Sequence, residues 1–481
     1  MKRQVVNQFL FDKGQDAYKY GIDSSVNLLV DTHVDLAGYN AKNVRKSIRS
    51  MPSLRSVGVP LPSDILYLFQ RDGTLFGVTV GTSDPATVDI VRWDDTLGYE
   101  VVCNIPVDTR TGIEKDKTTS CQCGKYEVIL FPDAGGSRIY AFDTQYGTAT
   151  EVFAPAETKK VAYATSICYW AGHLFLNDLN NSYMWYSSIV LTASDISQVF
   201  TADNSYRSMG YKDGTCLWVG ILDNALWSIS TSYIQKWTVS DSTLVPVYAD
   251  TANMLDIRTS SVYPYKDSIA LAARDSRDRK HLYTFDGKET KATETEEVLS
   301  MLTLADPVHM ASFTEKEHVV LVFQWTSFGT YALDELTGLW CKPLDWDTAT
   351  QVLGKYGLDS TDSTRLYMLQ DTSYDWTRTG AIWVEDNKPF YCDRIGLRLY
   401  VPVESTVEVS YRMRQENEQL DDYCVETFTL GRSRVKPDEP DTYDIQVPTV
   451  GYGTILELRV VATSTVELYD ARAEITTGGR W

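Results

Sequence analysis

The sequence predicts an all-β protein, a six- or seven-bladed β-propeller with an antiparallel β-sandwich platform built from both chain ends. Three observations carry this prediction: strand-forming residue types dominate, a hairpin phrase closing on an acidic turn recurs at blade spacing, and the chain changes texture after Pro389 to longer alternating strands. The 481 residues include 30 Tyr and 12 Trp, with 12% aromatic and 43% hydrophobic residues in all. Aromatic and β-branched side chains suit a pleated, half-buried surface, and the apolar share is ample for a core.

The recurring phrase is an apolar strand, an acidic turn, then Gly and an aromatic residue. It reads Ile139-Tyr140-Ala141-Phe142-Asp143 with Gly147, then Leu282-Tyr283-Thr284-Phe285-Asp286-Gly287, then Thr330-Tyr331-Ala332-Leu333-Asp334 with Gly338-Leu339-Trp340. A looser copy runs from Val88 to Asp94 with Gly98-Tyr99. Alternation makes the strand, and Asp with Gly permits the tight reversal where positive φ is needed. A strand stands before most copies: Tyr126–Phe131, His173–Leu176, Ala225–Ile229, Ser268–Leu271, His318–Val322 and Arg365–Leu369. These anchors return every ~45–50 residues, the length of a four-stranded blade. Counting from Asp64 to Trp383 gives six or seven modules, opening with Ile65–Phe69 and Thr74–Val78. Radial closure would hide their sheet edges.

Two helical interruptions are expected between blades. Thr293 followed by Glu296 has the capping-box pattern and predicts a helix from Thr293 to about Leu304. Thr192–Ser197 predicts a shorter one. Beyond Pro389, Asp393–Val401, Val407–Tyr411, Leu456–Val460 and Val466–Tyr469 alternate with period two, as in a small sandwich with one buried face. The Asn27-Leu28-Leu29-Val30 segment is expected to join it. The predicted division is residues 1–60 as an N-terminal part of the platform, 61–387 as the propeller and 388–481 as the C-terminal sandwich.

A net charge of -20 argues against a nucleic-acid-gripping surface, which needs clustered cations. The richest basic stretch holds only Lys42, Arg45, Lys46, Arg49 and Arg55, and reads as a solvated segment docking on an acidic partner. An acidic lining would let DNA slide past without being gripped. The N-terminus lacks the apolar run of a signal peptide, and no stretch of eighteen apolar residues predicts membrane insertion. Assembly in a cytoplasm is expected. Eight scattered cysteines read as reduced thiols, and Cys121-Gln-Cys123 lacks the second pair that zinc spacing requires.

No constellation for chemistry emerges. The histidines His33, His173, His281, His309 and His318 form no metal spacing, and neither a Gly-x-Ser-x-Gly elbow nor a phosphate-binding loop occurs. Catalytic, cofactor-binding and metal-binding residues are therefore all expected to be none. Asp345-Trp346-Asp347 is the acidic and aromatic cluster a sugar site would use, or else an inter-blade turn around a packed indole. Tyr183-Met184-Trp185-Tyr186 reads as a blade strand facing its neighbour.

Several segments resemble the tail hub, or nozzle, proteins of short-tailed, podovirus-like bacteriophages, including the type named for stabilising packaged DNA. Tyr20–Leu29 followed by Ile48-Arg49-Ser50-Met51-Pro52-Ser53-Leu54 resembles the hub opening, with Pro52-Ser53 where that family usually has Pro-Gly. Gly214–Gly220 with Leu226–Trp237 is similar to a family blade, and Ile455–Val460 with Val466–Leu468 to its final strands. The resemblance implies a structural virion protein in a homo-oligomeric ring, usually a hexamer, below the portal and its adaptor. It further implies a genome-exit channel through which DNA passes without sequence-specific binding, docking sites for tail fibres or a needle, and no cofactor. Rival readings are a propeller glycosidase or sugar-binding receptor protein of the virion, and an intracellular propeller scaffold.

Overall fold

The computed structural model describes residues 2–7, 25–34, 44–81, 87–107, 114, 117–133, 136–152, 163–180, 183–190, 196–200, 206–208, 215–240, 243–250, 256–257, 262–294, 296–371, 374–383, 388–414, 423–431 and 441–477. Strands dominate them, in seven four-stranded antiparallel sheets and two larger ones. Each small sheet is a blade, and in six of the seven the first to fourth strands follow chain order. Blade 1 runs Ile65–Arg71, Thr74–Val80, Val88–Trp93, Tyr99–Ile105, and blade 2 runs Thr119–Cys123, Tyr126–Phe131, Arg138–Asp143, Thr148–Glu151. Blades 3 to 6 begin at Ile167, Cys216, Val262 and His309. Blade 7 takes Ala349–Leu353, Tyr356–Asp359 and Leu366–Gln370 from one end of the ring and its fourth strand, Ser53–Val57, from the other.

The apolar core is divided as a closed ring requires. Phe69, Phe76 and Ile90 of blade 1 pack on Ile129, Phe131 and Phe142 of blade 2. Comparable clusters fill the seams between blades 2 and 3, 3 and 4, 4 and 5, 5 and 6, and 6 and 7. Leu358 and Leu366 of blade 7 meet Leu68, Leu75 and Val91 of blade 1, so the circle has no open seam. Seven interfaces for seven blades hide the flat faces that single hairpin pairs would expose.

The recurring acidic phrase is the third strand of a blade and its turn into the fourth. Asp94 accepts hydrogen bonds from the backbone of Thr96 and Gly98, Asp143 from Gln145 and Tyr146, Asp286 from Lys288 and Glu289, and Asp334 from Leu336. Asp thus mimics a backbone turn and fixes the reversal. Between first and second strands the chain uses two-residue turns in the left-handed region, as at Asp72-Gly73 with φ of 48° and 80°.

The platform is a sandwich of a six-stranded sheet (Lys2–Asn7, Leu28–Val34, Val44–Ser50, Phe390–Tyr400, Thr442–Gly453, Glu467–Thr477) on a five-stranded one (Ser25–Val26, Trp376–Trp383, Ser405–Arg414, Cys424–Leu430, Ile455–Ala462). Ile395, Leu397, Leu399, Val407, Val409, Leu456 and Leu458 form part of its core. Both chain ends contribute, and the Leu28–Val34 strand joins as expected.

Four local expectations are corrected. Ser53–Val57 lies inside the predicted N-terminal platform segment, yet it pairs with Leu366–Gln370 to close blade 7. Trp376–Trp383 lies inside the predicted propeller, yet pairs in full register with Ile455–Ala462 of the platform. Arg365–Leu369 belongs to a third strand, not the strand before one. The helix starts at Glu296, not Thr293, because Thr293 continues the blade 5 ladder by bonding the Leu282 carbonyl through its amide at 3.0 Å. Its Val298, Met301 and Leu302 seal the seam between blades 5 and 6. The second interruption is a 3₁₀ turn at Ile196–Gln198, and 192–195 lie outside the described residues.

Candidate functional site: axial tunnel and platform seam

First strands of blades 1 to 6 meet around one cavity, so ring closure gathers short segments that are far apart in sequence. Together they line a tunnel of about 780 Å³, built by Tyr67 of blade 1, Ser120 and Gln122 of blade 2, Tyr169 of blade 3, Trp218 of blade 4, Tyr263 of blade 5, His309 of blade 6 and their neighbours. Exposed lining residues occur where these strands begin, at Lys117 and Val308, and where they end, at Gln122, Ile221 and Pro264. The tunnel is thus wet at both mouths. Its lining contains hydroxyls, an amide and aromatic rings, and among the described residues none that lines it is acidic, although the chain carries -20 overall.

Two phenols of the lining, Tyr67 and Tyr263, interact with each other. Burial raises the pKa of both Tyr67 and Tyr263, and the charge Tyr67 would carry opposes ionisation of Tyr263. Both therefore keep their protons at neutral pH and remain donors. Their hydroxyl contacts, Ser120 to Tyr67 at 3.5 Å and Tyr263 with Ser312 at 3.4 Å, are at the long limit for hydrogen bonds. Burial also pushes up the thiols of Cys121 and Cys168, which keeps them as thiols and not as nucleophilic thiolates. Trp218 lies flat along its own strand. A Cβ placed on Gly220, two residues on, would stand 2.1 Å from the indole, so only Gly admits this pose.

The second polar centre joins the platform to blade 6. Asp31 and Arg49 stand on adjacent platform strands, and Asp31 accepts from Arg49 Nε at 3.0 Å and from His318 Nε2 at 2.6 Å. The other ring nitrogen of His318 donates to Asp334 Oδ2 at 2.9 Å. Glu315 lies 3.8 Å from Arg49, and Lys316 approaches Asp31 at 4.0 Å. A histidine held between two carboxylates is an imidazolium, with both nitrogens donating. Burial alone would lower its pKa, but the hydrogen bonds and charges of Asp31 and Asp334 raise it to about 9. Burial likewise opposes ionisation of Asp31, yet His318 and Arg49 bring it down to about 2.

Backbone pairing reinforces this seam. Ser25–Val26 pairs with Arg378 and Thr377 of the platform on one side and bridges Lys342, just past the fourth strand of blade 6, on the other. Asn27 donates to the Lys342 carbonyl and the Lys342 amide to Ser25, both at 2.8 Å. One hydrogen-bonded surface thus runs from the five-stranded sheet into the blade.

The residues singled out in the sequence have other duties. Trp346 is fully buried, stacks on Phe313 at 4.7 Å and donates its indole N–H to Pro52, while Asp345 turns with φ of 60° and pairs with Arg55. Asp345-Trp346-Asp347 is therefore the inter-blade turn with a packed indole. Met184 and Trp185 are buried in blade 3, and Trp185 donates to Asp178. His173 bonds the Ser187 carbonyl, and His281 contacts Glu294 and Asp275. His33 lies in a platform strand. In the basic stretch, Arg49 and Arg55 meet acids of this same chain, and Lys42 lies outside the described residues. So do 20–24 of the hub-like opening, whereas Ile48–Leu54 is the crossing from platform to blade 7. The cavity residues Tyr67, Gln122, Tyr169, Trp218 and Tyr263 belong to no site motif in the sequence. The available signal was positional: each lies just upstream of a strong second strand.

No family model matches the chain, and no curated protein does. Solved structures similar to it include the β-propeller domain of Cps50 (Swd1) from Myceliophthora thermophila, at 12% identity and TM-score 0.43, covering 66% of this chain and 100% of that one. Another is a protein provisionally named as a 6-phosphogluconolactonase from Bacteroides uniformis, at 11% identity and TM-score 0.37, covering 66% and 95%. A similarly named protein from Bacteroides fragilis has 15% identity and TM-score 0.38, covering 67% and 95%.

Proposed function

We propose that this propeller protein is a structural virion component, the tail hub or nozzle subunit of a short-tailed bacteriophage. In this reading copies form a ring, six-fold as the resemblance implies, below the portal and its adaptor, and the ring encloses the genome-exit channel. The body is non-catalytic, is assembled in the host cytoplasm and offers inter-blade loops to fibres or a needle. DNA passes without sequence-specific contact, consistent with a net charge of -20.

The observation that carries the reading is the welded join of platform and propeller, where backbone pairing at Ser25–Val26 and the Asp31–His318–Asp334 chain meet. A part that transmits load between an adaptor above and fibres beside it needs such a join more than it needs a reactive cleft. Negative-stain imaging of the purified chain and of purified tails tests this. Rings of the chain, and its presence in virions beside the portal, are the expected result. A chain that stays monomeric at every concentration and never enters particles would overturn the proposal, and hydrolysis of a host polysaccharide by the isolated chain would favour the glycosidase reading.

A further inference from the structure

We propose that the axial tunnel of each propeller is a binding site for a neutral carbohydrate chain. The volume, about 780 Å³, lies within the ~300–1,000 Å³ usual for ligand sites. Charge selects the ligand class. A cation would require carboxylates, and among the described residues the lining has none, while an anion must approach a body of charge -20. Among the described residues of the rim, the exposed cation Lys117 is already engaged by Glu114 and by Tyr163. What remains is a surface for an uncharged molecule with both apolar faces and hydroxyl edges, which describes a pyranose ring.

The lining supplies both halves of that recognition. Trp218, held flat over Gly220, offers an indole plane for stacking on the C–H face of a sugar. The same cavity holds the hydroxyls of Tyr67 and Tyr263 and the exposed amide of Gln122, while the Ser120 hydroxyl already donates to Glu127. The long contacts of the two phenols, 3.5 and 3.4 Å, can be exchanged for shorter bonds to ligand hydroxyls at small cost. Exposed residues at both mouths let an extended chain reach the site from either side.

The test is titration of the full chain with the neutral trisaccharides maltotriose, cellotriose and chitotriose, read by calorimetry and by ligand-observed NMR, with inorganic phosphate and spermidine as charged probes. Saturable binding of at least one trisaccharide at one site per chain is expected, with neither charged probe competing. Trp218→Ala should weaken it by roughly ten-fold, the loss of one stacking partner with its burial, and Tyr263→Phe by a smaller factor. Gln122→Ala, an exposed rim change, keeps the test decisive if Trp218→Ala does not fold. Absence of saturable binding by all three sugars, displacement by phosphate or spermidine, or binding that none of the variants weakens would each overturn the assignment. The readout needs no ring, so its outcome is independent of the hub reading.

Discussion

Replacing His318 by Gln removes the cation between Asp31 and Asp334 and leaves two carboxylates facing one neutral amide 287 residues from Asp31 in the chain. The size of the effect follows from protonation. The imidazole moves from a pKa of 6.5 to about 9 on folding, and at about 1.36 kcal/mol per pH unit that is about 3 kcal/mol of stability. Because the folded value is raised, this contribution is fully present below pH 6.5 and disappears as pH climbs through about 9. Asp31, lowered to about 2, contributes in the opposite direction, present above pH 3.8 and lost as pH falls through about 2. The two are faces of one interaction and do not add. Denaturant unfolding of wild type and H318Q at pH 6 and pH 10 checks this. The gap between the proteins should be about 3 kcal/mol at the lower pH and should largely close at the higher one. An equal gap at both, or an NMR titration of His318 near 6.5, would refute the account of the seam.

Trp346→Ala empties a fully buried site and removes the bond to Pro52, so it should cost about 3–5 kcal/mol in thermal or denaturant unfolding. Gly77→Ala drives a Cβ to 2.5 Å from the Trp93 ring, and about 1–3 kcal/mol of overpacking should appear as a lowered melting temperature. Leu54→Asp places a charge in the closing strand of blade 7, where Leu54 is 4% exposed. Limited proteolysis should then cut first within blade 7 and its neighbours, whereas an unchanged digestion pattern would speak against closure by that strand.

The parts of the fold legible in the sequence were those set by short-range chemistry. Asp143, Asp286 and Asp334 mark third strands because an Asp that bonds the next backbone amides is a local device, visible without knowing the partner strand. Closure of blade 7 was not legible for the opposite reason, since its fourth strand comes from residues 53–57 and no local turn joins it to the third. Trp376–Trp383 was misplaced because alternation reads the same in a blade and in a sandwich, and only pairing with Ile455–Ala462 decides between them. The tunnel was invisible for a geometric reason. Thr119–Cys123 and Val262–Tyr265 are short, mixed strands whose polar residues look like loop chemistry until the ring turns them toward one axis. Likewise nothing near Asp31 announces His318.

Closure of blade 7 by Ser53–Val57 also orders events during synthesis. The strand leaves the ribosome early but its partner, Leu366–Gln370, only some three hundred residues later. At about 5–20 residues per second the wait is roughly 15–60 s, with a sheet edge unpaired throughout. Blades 1 to 6 can form one after another in that interval, each docking on the last. The circle itself locks late, and the strand that follows, Trp376–Trp383, then pairs with Ser25–Val26 on one edge and with Ile455–Ala462 on the other. Premature termination anywhere before Leu366 therefore leaves an open arc with two exposed faces, a species for chaperones or proteases and not a smaller propeller.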